Sequence, residues 1–246
     1  MKKIILYVAL ILFALLGYLL YENITTPIDQ LDGIIDVENG HVESSFNESS
    51  KSVLKIVHTL SSGNQIVNKT ASAVIITEDQ NYYYAITNYH VMSKEGFETT
   101  NLAITSYLNQ TFQAEIVEMN QAQEYIAVLY DLALIRFEKN LNELPLPVIR
   151  EQALSSTSFL YAIGYPSGNR TTSSGYYIDL VDVSGYSFKL IEHSADIEHG
   201  FSGGALLDVS GKLVGINVSG IFNQHNEFIT GYAIPVTKVL EFINLF

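Results

Sequence analysis

His199-Gly200-Phe201-Ser202-Gly203-Gly204 leads directly into Ala205-Leu206-Leu207-Asp208, so a glycine turn that carries a serine runs into a short apolar segment. The segment Ala205–Leu207 has the length and composition of a buried strand. A serine hydroxyl on such a turn can attack a carbonyl carbon, while nearby backbone N–H groups hold the resulting oxyanion. Glycine–serine turns are common, so the meaning of this one depends on the rest of the chain.

Short apolar segments of the same kind recur from Ser52 onward. They are rich in Val, Ile, Tyr and Phe, and Gly, Asn or Ser residues separate them. Their short spacing and the near absence of a helical period predict an all-β protein, either a barrel or a sandwich. The segments are Val53–Val57, Ala73–Ile76, Tyr82–Thr87, Phe112–Val117, Leu132–Phe137, Phe159–Ile163, Gly175–Val181, Ser187–Glu192, Ala205–Leu207, Leu213–Val218 and Phe228–Ile234.

Only the last residues of the chain, Val236–Phe246, have a helical pattern. Pro235 suits a helix start because its fixed φ is already helical. The apolar residues that would share one face of this helix are Val239, Leu240, Ile243 and Phe246. We therefore expect a C-terminal helix.

Composition and charge exclude several classes of function. The chain has 246 residues, of which 48% are hydrophobic, enough for a sizeable core. A formal net charge of −13 counts against a nucleic-acid partner, because phosphate binding requires clustered Lys and Arg. We interpret the acidic surface as a source of solubility. The absence of cysteine excludes disulfides, thiol nucleophiles and thiolate metal sites.

The N-terminus predicts a membrane segment. Lys2 and Lys3 precede the uninterrupted apolar run Ile4–Leu20, and no Lys or Arg follows until Lys51. Seven acidic residues fall between positions 22 and 48. This asymmetry places the N-terminus in the cytoplasm and the rest of the chain outside it. We expect residues 1–21 to be a transmembrane anchor in the cell membrane, the alternative being a cleaved signal segment and a secreted protein.

The remainder divides into two parts by composition. Residues 22–50 are polar and acidic and have no clear period, which predicts a stalk or linker. Residues 51–246 contain all the strand-like segments and form the predicted folded domain.

Three residues in the folded part have the types and order of a catalytic triad. His90 follows the strand-like segment Tyr82–Thr87, Asp131 directly precedes Leu132–Phe137, and Ser202 lies on the glycine turn. Each has an ordinary structural explanation when it is taken alone. Their joint occurrence at strand edges in the order His, Asp, Ser is that of the chymotrypsin arrangement. Ser202 would be the nucleophile, His90 the general base and Asp131 the residue that orients the imidazole.

The chain from about Ser52 to Phe246 resembles a trypsin-like serine protease of the HtrA (DegP) type. The motifs that carry the resemblance are "AITNYHV" at the histidine, "DLALIRF" at the aspartate and "GFSGGALLD" at the serine, supported by "YAIGYPSG", "LVGINVSG" and "GYAIPVTKV". The resemblance implies two six-stranded antiparallel β-barrels with the triad between them. It also implies endopeptidase activity on polypeptide substrates without a metal or cofactor. Proteins of this type are often trimers, so it allows a homo-oligomer.

The resemblance also assigns the groups around the nucleophile. The backbone N–H groups of Gly200 and Ser202 would form the oxyanion hole, each contributing roughly 3 kcal/mol to stabilising the transition state. Val218, Ser219 and Gly220 match the strand that pairs with the substrate backbone in this family.

Four positions depart from the family pattern. Phe201 stands where trypsin has the Asp that pairs with a newly cut N-terminus, so activation of that kind is excluded. We expect the Phe201 ring to be packed in the interior, the alternative being a lid over the oxyanion loop. Ala71-Ser72-Ala73 replaces the family's Gly-Ser-Gly, with only a modest local rearrangement expected. The chain ends twelve residues after Ile234, so we expect it to lack the PDZ domain with which HtrA-type proteins usually continue.

The fourth departure is Asp196, six residues before Ser202. In trypsin this position lines the base of the specificity pocket, which leads to the hypothesis that Asp196 selects Lys or Arg before the scissile bond. The alternative is that Asp196 faces solvent.

Two Glu-His pairs, Glu192-His193 and Glu198-His199, lack a recognised metal-ligand spacing and predict a solvated polar loop.

Two other functions are compatible with these residues. A non-catalytic relative would keep the fold as a binding or scaffolding module, which the complete triad counts against. An acyl hydrolase acting on esters could use the same triad, which the HtrA-like context disfavours.

Overall fold

The computed structural model of the protein describes residues 46–140, 143–150 and 152–246. Within them twelve strands form two closed six-stranded antiparallel barrels, so the all-β prediction is confirmed in its barrel form. No helix in these ranges is long and apolar enough to cross a membrane. The predicted anchor, residues 1–21, and the predicted stalk up to residue 45 lie outside the described residues.

The first barrel is built from residues 53–138. Its strands alternate large apolar side chains, which fill the barrel, with polar ones that face outward, as in β1, where Leu54, Ile56 and Leu60 are buried. The strand order is β1-β2-β3-β6-β5-β4, and pairing of β1 with β4 closes the barrel. Its strands are β1 (Val53–Ser62), β2 (Gln65–Glu78), β3 (Tyr82–Thr87), β4 (Glu98–Thr105), β5 (Thr111–Ile116) and β6 (Ala133–Glu138).

The second barrel is built from residues 159–235. The strand order is β10-β11-β12-β9-β8-β7, and pairing of β7 with β10 closes it. Leu160, Ala162 and Leu206 are among the buried side chains that fill it. Its strands are β7 (Phe159–Gly164), β8 (Thr171–Val181), β9 (Leu190–His193), β10 (Ala205–Asp208), β11 (Leu213–Phe222) and β12 (Phe228–Pro235).

Short helices connect or follow the strands: α1 (Tyr89–Met92), α2 (Gln121–Tyr130) and α3 (Val236–Ile243). The predicted C-terminal helix is confirmed, and it begins directly after Pro235. Its predicted apolar face was partly wrong. Val239 is buried, but Leu240 and Phe246 are exposed, because the face that packs on the domain is formed by Val236, Val239 and Phe242.

A third apolar cluster joins the barrels to each other. It contains Val53, Val74 and Ile86 from the first barrel and Ile163, Ala205 and Ile216 from the second. This shared core fixes the β3–α1 segment of one barrel against the β10–β11 end of the other. The three predicted triad residues lie on these segments and on the chain just before β6.

Two local predictions were wrong or incomplete. His193 was expected in a solvated loop, but it lies at the end of β9 and is fully buried, because its ring packs against the backbone of Gly231 on β12. Residues 46–50, assigned to the stalk, are helical, and Phe46 packs against Tyr161 with ring centroids 4.7 Å apart.

Candidate active site

His90 and Asp131 form a hydrogen-bonded pair. The Nδ1 atom of His90 lies 2.8 Å from Oδ2 and 3.1 Å from Oδ1 of Asp131, and the His90 backbone N–H donates to Oδ1 at 2.9 Å. A carboxylate only accepts hydrogen bonds, so Nδ1 carries the proton and Nε2 is left as an acceptor. The His90 side chain is half exposed and that of Asp131 is mostly covered. The pair therefore presents a basic nitrogen to solvent.

Local backbone structure places both members of the pair. His90 lies in the single turn α1, directly after β3, and the Lys69 ammonium holds this turn by donating to the carbonyls of His90 and Ser93. Asp131 ends helix α2 in the left-handed conformation, with φ 51°. The side-chain amide of Asn88 donates to its carbonyl at 3.1 Å. A carboxylate residue tolerates this conformation better than most, and it directs the chain from α2 into β6.

Ser202 lies on the turn between β9 and β10. The turn depends on Gly200, which has φ 108° and whose α-carbon approaches Tyr165 and Pro166 so closely that a β-carbon would collide with their backbone. The Ser202 hydroxyl donates to the carbonyl of Val218 at 2.9 Å. Within the described ranges no hydrogen bond joins it to His90. The two side chains nevertheless line the same two cavities.

Ser72 connects this turn to the first barrel. Its N–H donates to the carbonyl of Ser202 at 2.9 Å, and its buried hydroxyl donates to the carbonyl of Gly200 at 2.7 Å. The hydroxyl also accepts from the Tyr165 N–H at 2.9 Å. The Gly200 carbonyl is thus held on the barrel side of the turn. In the described part of the chain, the N–H groups of Gly200 and Ser202 have no protein acceptor.

An open cavity of about 470 Å³ surrounds the three residues. Its lining residues are His90, Asp131, Tyr186, Glu198, His199, Ser202, Val218, Ser219, Gly220 and Phe222. A second cavity of about 210 Å³ continues past Ser202 on the other side, along Lys69, Thr70 and Ala71.

The structure brings most of the predicted site residues together, but not Asp196. His90, Asp131, Ser202, Gly200 and the segment 218–220 line the two cavities. Asp196 is exposed and lines neither of them. Its placement gives no support to a negative charge at the base of the cavity. Among the described residues no group of three or more His, Cys, Asp or Glu side chains is arranged to bind a metal ion.

Phe201 is a packed aromatic, as expected. It is 2% exposed, and its ring and backbone lie against Gly164 on β7. The sequence did not single out Ser72, Lys69 or Tyr186, which contact the triad residues. Ser72 is the middle residue of Ala71-Ser72-Ala73, which departs from the family pattern, whereas nothing in the sequence distinguishes Tyr186 among sixteen tyrosines.

Comparison with known proteins agrees with this geometry. The profile of the trypsin-like peptidase domain matches residues 71–216, more than half of the chain. The chain belongs to this family. The periplasmic serine endoprotease DegP of Escherichia coli is 28% identical to it over 172 residues, which cover 68% of this chain and 34% of DegP. A probable DegP-like periplasmic serine endoprotease of Buchnera aphidicola is 27% identical over 197 residues, which cover 78% and 36%.

Solved structures give the same fold. The HtrA-type protease AlgW with a tripeptide superposes with a TM-score of 0.64 and 24% identity, covering 81% of this chain and 61% of that one. The resemblance of the sequence motifs to the HtrA type of trypsin-like serine protease is thereby confirmed. The chain spans about a third of the length of the curated relatives that it matches.

Proposed function

We propose that the domain is a serine endopeptidase in which His90, Asp131 and Ser202 form the catalytic triad. The observation that carries this proposal is the hydrogen-bonded pair of His90 and Asp131. His90 and Ser202 line the same two cavities. Asp131 fixes the tautomer that leaves Nε2 basic, as a general base requires. Membership of the trypsin-like peptidase family supports the same assignment.

The reaction begins with a change in the Ser202 side chain. Rotation about χ1 takes the hydroxyl from the Val218 carbonyl to Nε2 of His90, which accepts its proton as Oγ attacks the carbonyl carbon of the scissile bond. The imidazolium then gives that proton to the leaving amine, and an acyl group remains on Ser202. His90 next deprotonates a water molecule, which attacks the acyl carbon. The bond from that carbon to Ser202 Oγ then breaks, the imidazolium returns its proton to Oγ, and the second product leaves.

The backbone around the turn is suited to stabilise the oxyanion. The N–H groups of Gly200 and Ser202 have no protein acceptor within the described residues. Ser72 and Tyr165 hold the Gly200 carbonyl on the opposite side, which supports an oxyanion hole formed by these two N–H groups.

The segment Val218–Gly220 is suited to bind the substrate backbone. Pairing of β11 with β10 ends at Ile216, and among the described residues one edge of β11 has no strand partner beyond Asn217. On the other edge, the register with β12 shifts between Asn217 and Ser219. An extended polypeptide could add to the open edge as a further strand, which would bring its scissile bond to Ser202. Polypeptides are therefore the proposed substrate class.

We further propose that the domain works outside the cytoplasm, in protein quality control or in processing of exported proteins. The charge asymmetry around the apolar run Ile4–Leu20 and the periplasmic DegP relatives support this location. The same run supports a single-pass anchor in the cell membrane as part of the proposal.

One observation favours a second function. The Ser202 hydroxyl donates to Val218 and not to His90, which is compatible with a binding module that has lost turnover. Hydrogen bonds between catalytic groups often form only when substrate is bound, so their absence in the free protein does not argue against catalysis. We therefore place endopeptidase activity first.

Incubation of the full chain, purified in a mild detergent, with a denatured and alkylated protein separates the two functions. We expect time-dependent fragments from the wild type and none from Ser202→Ala. Binding of the denatured protein without fragments in either sample would contradict the endopeptidase proposal and support the binding module.

A further inference from the structure

The connection between β8 and β9, residues 182–189, brings a tyrosine hydroxyl to the proposed triad. The Tyr186 hydroxyl donates to Oδ2 of Asp131 at 3.1 Å. His90 supplies the other donors to this carboxylate, through its backbone N–H and Nδ1. Both carboxylate oxygens therefore have two neighbouring donors, and Tyr186 contributes one of the two at Oδ2.

Several contacts fix the position of this hydroxyl. The Tyr186 N–H closes a tight turn by donating to the Val183 carbonyl at 3.2 Å, with Gly185 at φ 98° inside the turn. Its ring lies edge-on to Phe188, with centroids 5.8 Å apart. Phe188 in turn packs edge-on against Tyr130 at 4.9 Å, and Tyr130 directly precedes Asp131.

The rings of Tyr186, Phe188 and Tyr130 form an aromatic series, and helix α3 contacts its far end. The Lys238 ammonium lies 5.8 Å from the Phe188 ring centroid and 6.0 Å from that of Tyr130. The Tyr130 hydroxyl donates to Glu241 at 3.2 Å. Residues 182–189 and the end of α2 are thus connected twice, once through the rings and once through the Tyr186–Asp131 hydrogen bond.

We propose that Tyr186 is a positioning residue that holds the Asp131 carboxylate in the plane required to orient His90. This inference rests on the triad proposed above. Without the hydroxyl, only the two His90 donors restrain the carboxylate, which then rotates more readily about χ2. The imidazole then spends less time with Nε2 directed at Ser202.

The phenol is suited to remain a donor throughout the working pH range. Burial of the phenol, and then the neighbouring Asp131 carboxylate, raise the pKa of Tyr186 above its ordinary value. An ionised phenolate beside the carboxylate would place two negative charges at hydrogen-bond distance, which both effects oppose.

Tyr186→Phe tests the hydroxyl alone, because the ring that lines the cavity and contacts Phe188 is retained. We expect kcat to fall by about tenfold, the effect of one lost hydrogen bond to a charged group, with KM unchanged. The matched control is Tyr84→Phe, which removes a tyrosine hydroxyl that donates to Asp79 at an exposed site on the first barrel. It should leave both constants unchanged.

A second variant tests the aromatic series. Phe188→Ala should lower kcat in the same direction, because the ring that braces Tyr186 is lost. The double variant Tyr186→Phe/Phe188→Ala should lose less than the product of the two single losses, since Phe188 acts on Asp131 partly through the Tyr186 hydroxyl. Fully additive losses would contradict the proposed route.

A measurement without turnover separates this inference from the proposed function. The low-field proton resonance of His90 Nδ1–H should shift and exchange faster with water in Tyr186→Phe than in the wild type and the control. If the wild type lacks peptidase activity but the resonance shifts, the proposed function fails and the positioning role stands. An unchanged resonance, or an active wild type with the same kcat as Tyr186→Phe, overturns the positioning role.

Discussion

Ser72 is a single buried side chain that joins the first barrel to the proposed nucleophile turn. Its hydroxyl bonds the carbonyl of Gly200 and the N–H of Tyr165, and its N–H bonds the carbonyl of Ser202. The hydroxyl thereby controls the direction of the peptide group next to the oxyanion hole. A substitution that keeps the backbone but removes the hydroxyl should therefore act on the Gly200 carbonyl and on the Tyr165 N–H.

Ser72→Ala is therefore expected to lower kcat/KM by roughly tenfold, because the oxyanion N–H groups lose their fixed direction. Steady-state cleavage of a fluorogenic peptide measures this. The control is Ser106→Ala, at a buried serine whose hydroxyl has no partner in the described structure, and it should leave kcat/KM unchanged. Equal kcat/KM for Ser72→Ala and the wild type would contradict the proposed control of the oxyanion hole.

Asp196, unlike Ser72, is expected to have little effect on catalysis or specificity. It is exposed and outside both cavities, so it should not select Lys or Arg before the scissile bond. The test uses peptides that differ only in the residue before the scissile bond. Asp196→Asn should change the ratio of cleavage after Arg to cleavage after Val by no more than about fivefold, the largest effect expected from an exposed ion pair. A fall of about thirtyfold or more after Arg alone would show that Asp196 binds a buried cation.

Strand β9 carries a buried titratable group that serves no part of the proposed reaction. His193 is fully buried, and neither ring nitrogen has a hydrogen bond of good geometry among the described residues. The Ala195 backbone favours the charged ring, but the opposing effect of burial is larger. Burial lowers the pKa of His193 from its ordinary value of 6.5 to about 4. The folded chain therefore binds this proton more weakly than the unfolded chain.

The free energy of unfolding should consequently fall as the pH drops from 6.5 to about 4, by on the order of 3 kcal/mol from His193 alone. Above pH 6.5 neither state is protonated there, so this contribution is constant. Burial also lowers the pKa of His58, which adds a change of the same sign. Urea unfolding at a series of pH values should show a smaller loss for His193→Gln than for the wild type. Identical pH dependence in the two proteins would contradict a neutral, buried His193.

The strands show how far local pattern determines this fold. Each of the eleven predicted segments overlaps a strand, because Val, Ile, Tyr and Phe runs bounded by turn residues suit a pleated surface. The segment Ser187–Glu192 was predicted least accurately, since its first three residues lie in the connection before β9. Strand β4 was missed: in Glu98–Thr105 only Leu102 and Ile104 are buried, so its sequence is too polar to stand out. Pairing with β1 and β5 makes it a strand, and pairing is a tertiary property.

Helix α2 was also missed, although one signal was present. Asn120 and Gln123 form a capping box, in which each side chain bonds the backbone of the other residue. Only Ala127 is buried on this helix, so the apolar period that normally reveals a helix is weak. Its importance is positional, since the left-handed residue that caps its C-terminal end is Asp131. The motifs around His90, Asp131 and Ser202 are local, so the sequence could point to these residues. The contacts of Tyr186 with Asp131 and of Ser72 with Gly200 join residues distant in sequence, so no local pattern reveals them.

At the scale of the whole molecule, the proposed function depends on the junction of the two barrels. His90 and Asp131 belong to the first barrel and its connections, while Ser202 and Val218–Gly220 belong to the second. The shared apolar core and the Ser72 hydrogen bonds hold the two sets in register. Neither barrel contains the complete site.

The most direct test of the triad is covalent labelling of the full chain with a fluorophosphonate, followed by mass spectrometry of the intact protein and of its peptides. We expect one phosphonyl group per chain, on Ser202, with no labelling of Ser202→Ala and strongly slowed labelling of His90→Ala. A folded wild type that takes up no phosphonyl group, or takes it up on a different serine, would contradict the assignment of Ser202 as the nucleophile.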